Sequence, residues 1–129
     1  MATNTSLVTG VDFVFVPTQD FEAAANFYGT VLGLPCSAKY GQMPGGEFET
    51  GNLTLQLLEP KAIGREFQAN SGAIALHVDD VEAARAELES RGVSFMGDTI
   101  DSGVCHMAIF QDPDGNTLLL HHRYAPRAG

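Results

Sequence analysis

The side chains that could carry out chemistry in this chain are few, and the histidines come first. His77 lies in the apolar segment AIALHV at 73–78, and His121 lies in the segment TLLLHH at 117–122. A neutral imidazole can act as a general base near neutral pH or as a metal ligand. Because side chains alternate along a strand, His121 and His122 point to opposite faces and cannot easily bind one ion together. If the protein is an enzyme, His77 and His121 are therefore the candidate catalytic groups.

Two other combinations of reactive residues predict no site. The segment 112–116, DPDGN, resembles the start of a calcium-binding loop, but its glycine is in the fourth place and Arg123 stands where the closing Glu is expected. We interpret this segment as a hairpin turn whose geometry is set by proline and glycine. Cys105 and His106 are neighbours in a predicted strand and face apart, which does not favour a reactive thiolate pair.

These groups must be positioned by a fold, and the first half of the chain predicts a strand, a helix and a strand meander. The segment VDFVFV at 11–16 is β-branched and aromatic, as strands are. Asp20 stands at the N-cap position of a helix over FEAAANFYGTVLG, and Gly33 is placed to end it. The predicted buried face of this helix consists of Phe21, Ala24, Tyr28 and Val31. Further strands are predicted at 37–42, 47–50 and 53–58.

The second half repeats this order. A strand at 73–78 leads through Asp79 and Asp80 into a helix over VEAARAELESRG, and strands follow at 94–99, 104–111 and 117–122. FEAA at 21–24 and VEAA at 81–84 open the two helices about 60 residues apart, a spacing too long for a solenoid repeat. The sequence therefore predicts one α+β domain over 1–129. It has two βαβββ modules, at about 9–60 and 72–122, whose mixed sheet curls around a cup.

Three strings in this order resemble the glyoxalase/bleomycin resistance protein/dioxygenase (vicinal oxygen chelate) superfamily. They are VPTQDFEAAANFYGTVLGL at 16–34, HVDDVEAARAELESRGV at 77–93 and FQDPDGNTLLL at 110–120. The resemblance implies that catalytic relatives hold a divalent metal in the cup, bound by His and Glu from four strands. It places those ligands at Val11, Gln56, Ala73 and Leu119. Three of these side chains have no lone pair, and a neutral amide is a poor substitute for a carboxylate, so we predict no metal and no cofactor.

With apolar residues at those points, the cup is predicted to be a small-molecule site. Polar members are included because burying them without a partner costs about 1–3 kcal/mol. The predicted ligand-binding residues are Phe13, Phe15, Gln56, His77, Met107, Ile109, Leu119 and His121. The alternative metal site would combine His77 and His121 with Glu47 or Glu49.

Metal-free relatives implied by the resemblance are acidic homodimers that resemble bleomycin resistance protein, exchange their first strand and bind drug between subunits. We therefore predict a non-catalytic protein that binds or sequesters a hydrophobic or cationic small molecule, such as an antibiotic, and that forms a homodimer. The chain has no tryptophan, so stacking on a planar drug would use residues such as Phe48, Phe67 or Tyr40. The alternative is a glyoxalase-type lyase or isomerase, with a relocated metal or a metal-free histidine base. A third interpretation is a regulatory domain with a filled cup.

Composition supports a globular protein and narrows its partners. The chain has 129 residues, 44% of them hydrophobic, and a net charge of −9. That charge argues against nucleic acid and against an anionic membrane as partners. The first eight residues show no secretory signal, so we predict a cytoplasmic protein. Cys36 and Cys105 are predicted to be buried free thiols, with a disulfide between them as the alternative.

Overall fold

Within residues 6–127, which this computed structural model describes, eight strands and two α-helices follow one another in two similar halves. The first half contains β1 (Phe13–Pro17), α1 (Phe21–Asn26), β2 (Cys36–Tyr40), β3 (Gly45–Glu49) and β4 (Thr54–Leu58). A short 3₁₀ turn at Pro60–Ile63 follows β4 and begins the segment that joins the two halves. The ends of the predicted domain, residues 1–5 and 128–129, lie outside the described residues.

The second half contains β5 (Ile74–His77), α2 (Val81–Ser90), β6 (Ile100–Asp101), β7 (Cys105–Gln111) and β8 (Thr117–Arg123). Each half forms a four-stranded mixed sheet: sheet A has the order β1-β4-β3-β2, and sheet B has the order β5-β8-β7-β6. In each, the strand before the helix pairs in parallel with the last strand of its half, and the remaining pairs are antiparallel. The predicted α+β fold of two βαβββ modules with a curled sheet is confirmed.

Both helices begin where capping chemistry predicts. The Asp20 carboxylate accepts from the backbone N–H of Ala23 (3.3 Å), and the Asp80 carboxylate accepts from that of Ala83 (3.0 Å). These bonds satisfy backbone donors that a helix leaves free in its first turn. Gly33, which the sequence placed at the end of the first helix, adopts φ +77°, a conformation that favours glycine.

The end of the first helix differs from a regular α-helix. Phe27–Val31 forms a π-helical turn, in which the N–H of Leu32 donates to the carbonyl of Phe27 (2.9 Å). The wider turn buries Phe27 and Tyr28 together, 8% and 0% exposed, where the periodic pattern selected only the tyrosine.

The predicted strand at 94–99 is wrong. Only Phe95 forms an isolated bridge, with Phe110, and the next strand begins at Ile100. Gly97 between them has φ +77°, which bends the chain away from an extended path. The cysteine prediction is half correct: both thiols are free, but Cys36 is exposed and only Cys105 is buried.

One hydrophobic core joins the two halves. Alternate residues of each sheet enter it, for example Leu55 and Leu57 from β4, and Leu118 and Leu120 from β8. The opposite face of each sheet, which we call its open face, is turned away from this core and carries the residues in between. Among the described residues, no helix is long and apolar enough to cross a bilayer.

Candidate binding site

The open face of sheet A carries three of the predicted ligand-binding residues. Phe15 on β1 is in register with Gln56 on β4, and Gln56 is in register with Glu47 on β3. The adjacent row contains Phe13, Thr54 and Glu49. Each row thus runs from an aromatic ring through a neutral polar group to a carboxylate.

The polar groups of this face bond to one another. Gln56 donates through Nε2 to the hydroxyl of Tyr40 (3.2 Å), and that hydroxyl donates to Glu47. Burial, and then the bond to Glu47, raise the pKa of the Tyr40 phenol, so Tyr40 acts as a hydrogen-bond donor at neutral pH. These bonds orient the Gln56 amide and the Glu47 carboxylate, while the Tyr40 phenol keeps its proton.

The carboxylate of the second row is held in its charged form. Ser37 donates to one Glu49 oxygen and Thr54 donates to the other (2.7 Å). These two bonds, Ser37 first, lower the pKa of Glu49 below its usual 4.5. Glu49 therefore offers a permanent negative charge at neutral pH, on the same face as the ring of Phe13.

The other five predicted residues lie on the strands of sheet B, where the ring of His77 packs beside that of His122, with centroids 5.9 Å apart. His121 on β8 is in register with His77 on β5 and with Met107 on β7. Leu119 is in register with Ile109 in the next row. All are half-buried except His77, which is exposed. The structure therefore gathers the predicted set into two groups, one on each sheet, and no strand pairing within residues 6–127 joins the groups.

Two sequence interpretations of these faces need comment. The Nε2 atom of His77 lies 3.3 Å from the exposed Asp79 carboxylate, an arrangement that could orient an imidazole base. Phe48, considered above as a stacking residue, is 2% exposed and packs in the core near Tyr28, because its neighbours Glu47 and Glu49 take the open face of β3. It cannot stack on a bound molecule.

The segment 112–116 does more than turn a hairpin. Asp112 accepts from the buried hydroxyl of Tyr28 (2.6 Å), and Asn116 donates to the carbonyl of Pro17 (2.8 Å). Asp114 accepts from the hydroxyl of Thr18 (2.6 Å). These bonds connect the second module to Tyr28 in the π-helical turn and to the segment just before the first helix. Sequence reasoning missed this role, although buried polar residues in a turn are a recognisable signal once their burial is known.

A cavity of about 630 Å³ lies between the modules, outside the predicted set except for His77. Leu32, Leu34 and the β3–β4 hairpin line it from the first module, and β5 and α2 line it from the second. Its floor reaches Leu55 and Leu120, which are 0% and 2% exposed. Periodicity could not predict it, because it depends on how the two modules pack.

Comparison with known proteins identifies the family of this chain. Residues 10–120 match the family model described as Glyoxalase/Bleomycin resistance protein/Dioxygenase superfamily. The chain belongs to this superfamily. No curated protein sequence matches the chain.

Solved structures of the superfamily superpose over nearly all of the chain. An antibiotic-binding protein, TnmS3, from Streptomyces sp. CB03234 is 26% identical, with a TM-score of 0.76, over 92% of this chain and 99% of that one. A glyoxalase/bleomycin resistance protein from the same organism is 27% identical, with a TM-score of 0.70, over 87% and 100%. A lactoylglutathione lyase from Agrobacterium tumefaciens is 20% identical, with a TM-score of 0.74, over 88% and 93%, and shows the fold alone.

The residues at the four positions where the resemblance implies metal ligands do not fit a metal. Val11 and Ala73 are exposed and precede β1 and β5, while Gln56 and Leu119 lie in the middle of β4 and β8. Only Gln56 has a donor oxygen, and its amide nitrogen is already bonded to Tyr40. Across residues 6–127, no group of three or more His, Cys, Asp or Glu side chains is arranged to hold an ion.

Proposed function

We propose that this chain is a non-catalytic binding protein that sequesters an apolar, cationic small molecule such as an aromatic antibiotic. The observation that carries the proposal is the pattern on the open face of sheet A, where two aromatic rings stand in register with polar groups and two carboxylates. Such a face offers a planar ligand stacking area and offers its ammonium group a counter-charge.

Charge supports a cationic ligand. Glu47 and Glu49 lie two positions apart on β3, while Lys39, the only basic residue within the strands of sheet A, stands in register with Gly46 on the opposite face. The net charge of −9 would favour the approach of a cation from solution. The rings of Phe13 and Phe15 supply the apolar contact.

The predicted residues on sheet B would add apolar contacts and imidazole groups to the site. Met107, Ile109 and Leu119 form a half-buried aliphatic patch beside His121. A flexible thioether adapts to ligands of different shape. The likeness to the antibiotic-binding protein, at 26% identity, supports this type of ligand.

We further propose that the protein is a homodimer in which each site takes one group from each subunit. The segment before β1 supports this, because Leu7, Val8 and Val11 are 99%, 73% and 69% exposed in the single chain. Neighbouring apolar residues with so little cover usually mark an interface. Val11→Asp should shift the dimer to monomer in analytical ultracentrifugation, while Thr9→Asp, an exposed polar neighbour, should not.

Calorimetric titration with cationic polyaromatic compounds, such as an anthracycline and an acridine dye, tests the binding function. Glu49→Gln should weaken binding by up to about fivefold, because an exposed charge pair contributes about 0.2–1 kcal/mol. Glu82→Gln removes the same charge from α2 and should leave affinity unchanged. No heat of binding with any cationic or aromatic compound would refute the proposal.

The alternative function is a lyase or isomerase that uses His77 or His121 as general base. The contact between His77 and Asp79 favours considering it, because a carboxylate orients an imidazole. Turnover of a hemithioacetal substrate that is lost in His77→Ala or in His121→Ala would replace the binding proposal. We propose a cytoplasmic location, which cell fractionation would test.

A further inference from the structure

The cavity between the modules has the features of a ligand site separate from the two open faces. It opens between α2, β5 and the β3–β4 hairpin, on the core side of both sheets. The open-face residues point away from the core, and only Ala75 and His77, both on the edge strand β5, belong to both regions. A ligand in this cavity would therefore contact neither Gln56 nor Glu49.

The core is incompletely covered at this place. Leu118 and Leu120 on β8 are almost fully buried, whereas Ile74 and Leu76 on the neighbouring strand face the same core and are only half-buried. Leu53 at the hairpin is also half-buried. Aliphatic side chains that line a space reaching the core gain contact and lose water when an apolar molecule fills it. At about 630 Å³, the space falls within the range of small-molecule sites.

The charged side chains Arg91 and Glu87 at the rim are paired with each other, which decides the charge of the occupant. Arg91 pairs through Nε with Glu87 (3.0 Å) and donates through Nη1 to the carbonyl of Val31 (2.8 Å). The hydroxyl of Thr50 donates to the carbonyl of Leu53 (2.7 Å). The two opposite charges compensate each other, so neither an anion nor a cation finds an unopposed partner there.

From this lining we infer that the inter-module cavity is a second binding site, for a neutral, mainly apolar small molecule. It differs from the proposed open-face site in location and in the charge of its ligand. It does not depend on that proposal, since a protein could use either site alone.

The test uses N-phenyl-1-naphthylamine, a neutral probe whose fluorescence rises in apolar surroundings. Ala84 on α2 lines the cavity, and Ala86 on the same helix is exposed and does not. We expect saturable binding of one probe per chain, weakened at least about tenfold in Ala84→Leu, because the larger side chain occupies the space. Ala86→Leu should bind like the unchanged protein. Ala84→Leu should also unfold at the same or a higher temperature, which excludes loss of the fold as the cause.

Three outcomes would overturn the inference. One is the absence of saturable probe binding, and another is equal binding by Ala84→Leu and Ala86→Leu. The third is a change of oligomeric state in Ala84→Leu on ultracentrifugation, which would assign the cavity to contact with a second copy. Glu49→Gln distinguishes the two sites: it should weaken the cationic ligand of the open face and leave the neutral probe unaffected.

Discussion

Removing one hydroxyl should reveal how strongly the 112–116 turn joins the modules. Tyr28 is 0% exposed, and its hydroxyl donates to Asp112, which is 6% exposed, over 2.6 Å. A hydrogen bond to a charged group contributes about 1.5–3 kcal/mol. Tyr28→Phe keeps the ring in the core, and Asp112 keeps its bonds from Asn116 and from the backbone of Asp114. We therefore expect the free energy of unfolding to fall by about 2 kcal/mol.

Urea unfolding measures this change, and the chain provides a matched control. Tyr124→Phe also removes a hydroxyl that donates to a carboxylate, that of Asp101 (2.8 Å), but Tyr124 is 45% exposed. Water can replace that bond, so the control should lose less than about 0.5 kcal/mol. Equal losses in the two variants, or no loss in Tyr28→Phe, would refute the reasoning that burial gives the inter-module bond its strength.

The same bond predicts a dependence on alkaline pH. Burial, and then the nearby Asp112 carboxylate, raise the pKa of Tyr28 in the folded protein above its ordinary value of 10. Above pH 10 the unfolded chain therefore binds fewer protons than the folded one, and the free energy of unfolding falls as pH rises. The stabilisation is complete below pH 10. Tyr28→Phe should show a shallower fall between pH 10 and 11.5 than the unchanged protein.

Three further predictions rest on local geometry. Gly46→Ala should destabilise the fold by about 1–3 kcal/mol in urea unfolding, because a Cβ there would lie 2.7 Å from the carbonyl oxygen of Ala38. A wild-type midpoint would contradict it. Asp80→Ala should cost about 1 kcal/mol by removing the cap on the N–H of Ala83, whereas Asp80→Asn should recover most of it. Binding of a cationic ligand should persist at pH 4.5, because the pKa of Glu49 is lowered; loss by pH 5 would contradict that.

The features that could be predicted from the sequence are those set by residues close together in the chain. The carboxylates of Asp20 and Asp80 bond to the third residue beyond them, so both helix starts could be read from the sequence. The repeat of FEAA and VEAA predicted the two modules because similar sequences fold alike. The strand at 94–99 failed because Gly97 interrupts a segment whose composition otherwise favours extension.

The sequence could be used to predict which residues share a strand face, but not how the strand faces are arranged relative to one another. Phe15 lies in register with Gln56, and His77 lies in register with His121, although the ring of His77 packs beside that of His122. The division of the set between sheets, the inter-module cavity and the partners of Asp112 depend on how the modules pack. That packing is decided by contacts between residues far apart in sequence, which periodicity does not contain.

The contacts of Gln56 give a physical reason for an amide at this position. Gln56 stands in register with Glu47 and shares the hydroxyl of Tyr40 with it. A glutamate at 56 would place two carboxylates side by side, with one phenolic proton between them. Gln56→Glu should therefore lower the free energy of unfolding at pH 7 by about 1–2 kcal/mol, and by less at pH 4, where the carboxylate can be protonated. Gln42→Glu, an exposed change of the same charge, should have little effect.

Adding Zn²⁺ to the Gln56→Glu variant tests whether a carboxylate at position 56 is enough to create a metal site. The side chains of Val11, Ala73 and Leu119 offer no donor atom, so one restored carboxylate should not create a metal site. We expect no rise in melting temperature with stoichiometric Zn²⁺. A stabilisation that saturates at one ion per chain would show that Glu47 and the new carboxylate suffice to bind metal, and the open face would then have to be regarded as one substitution away from a metal centre.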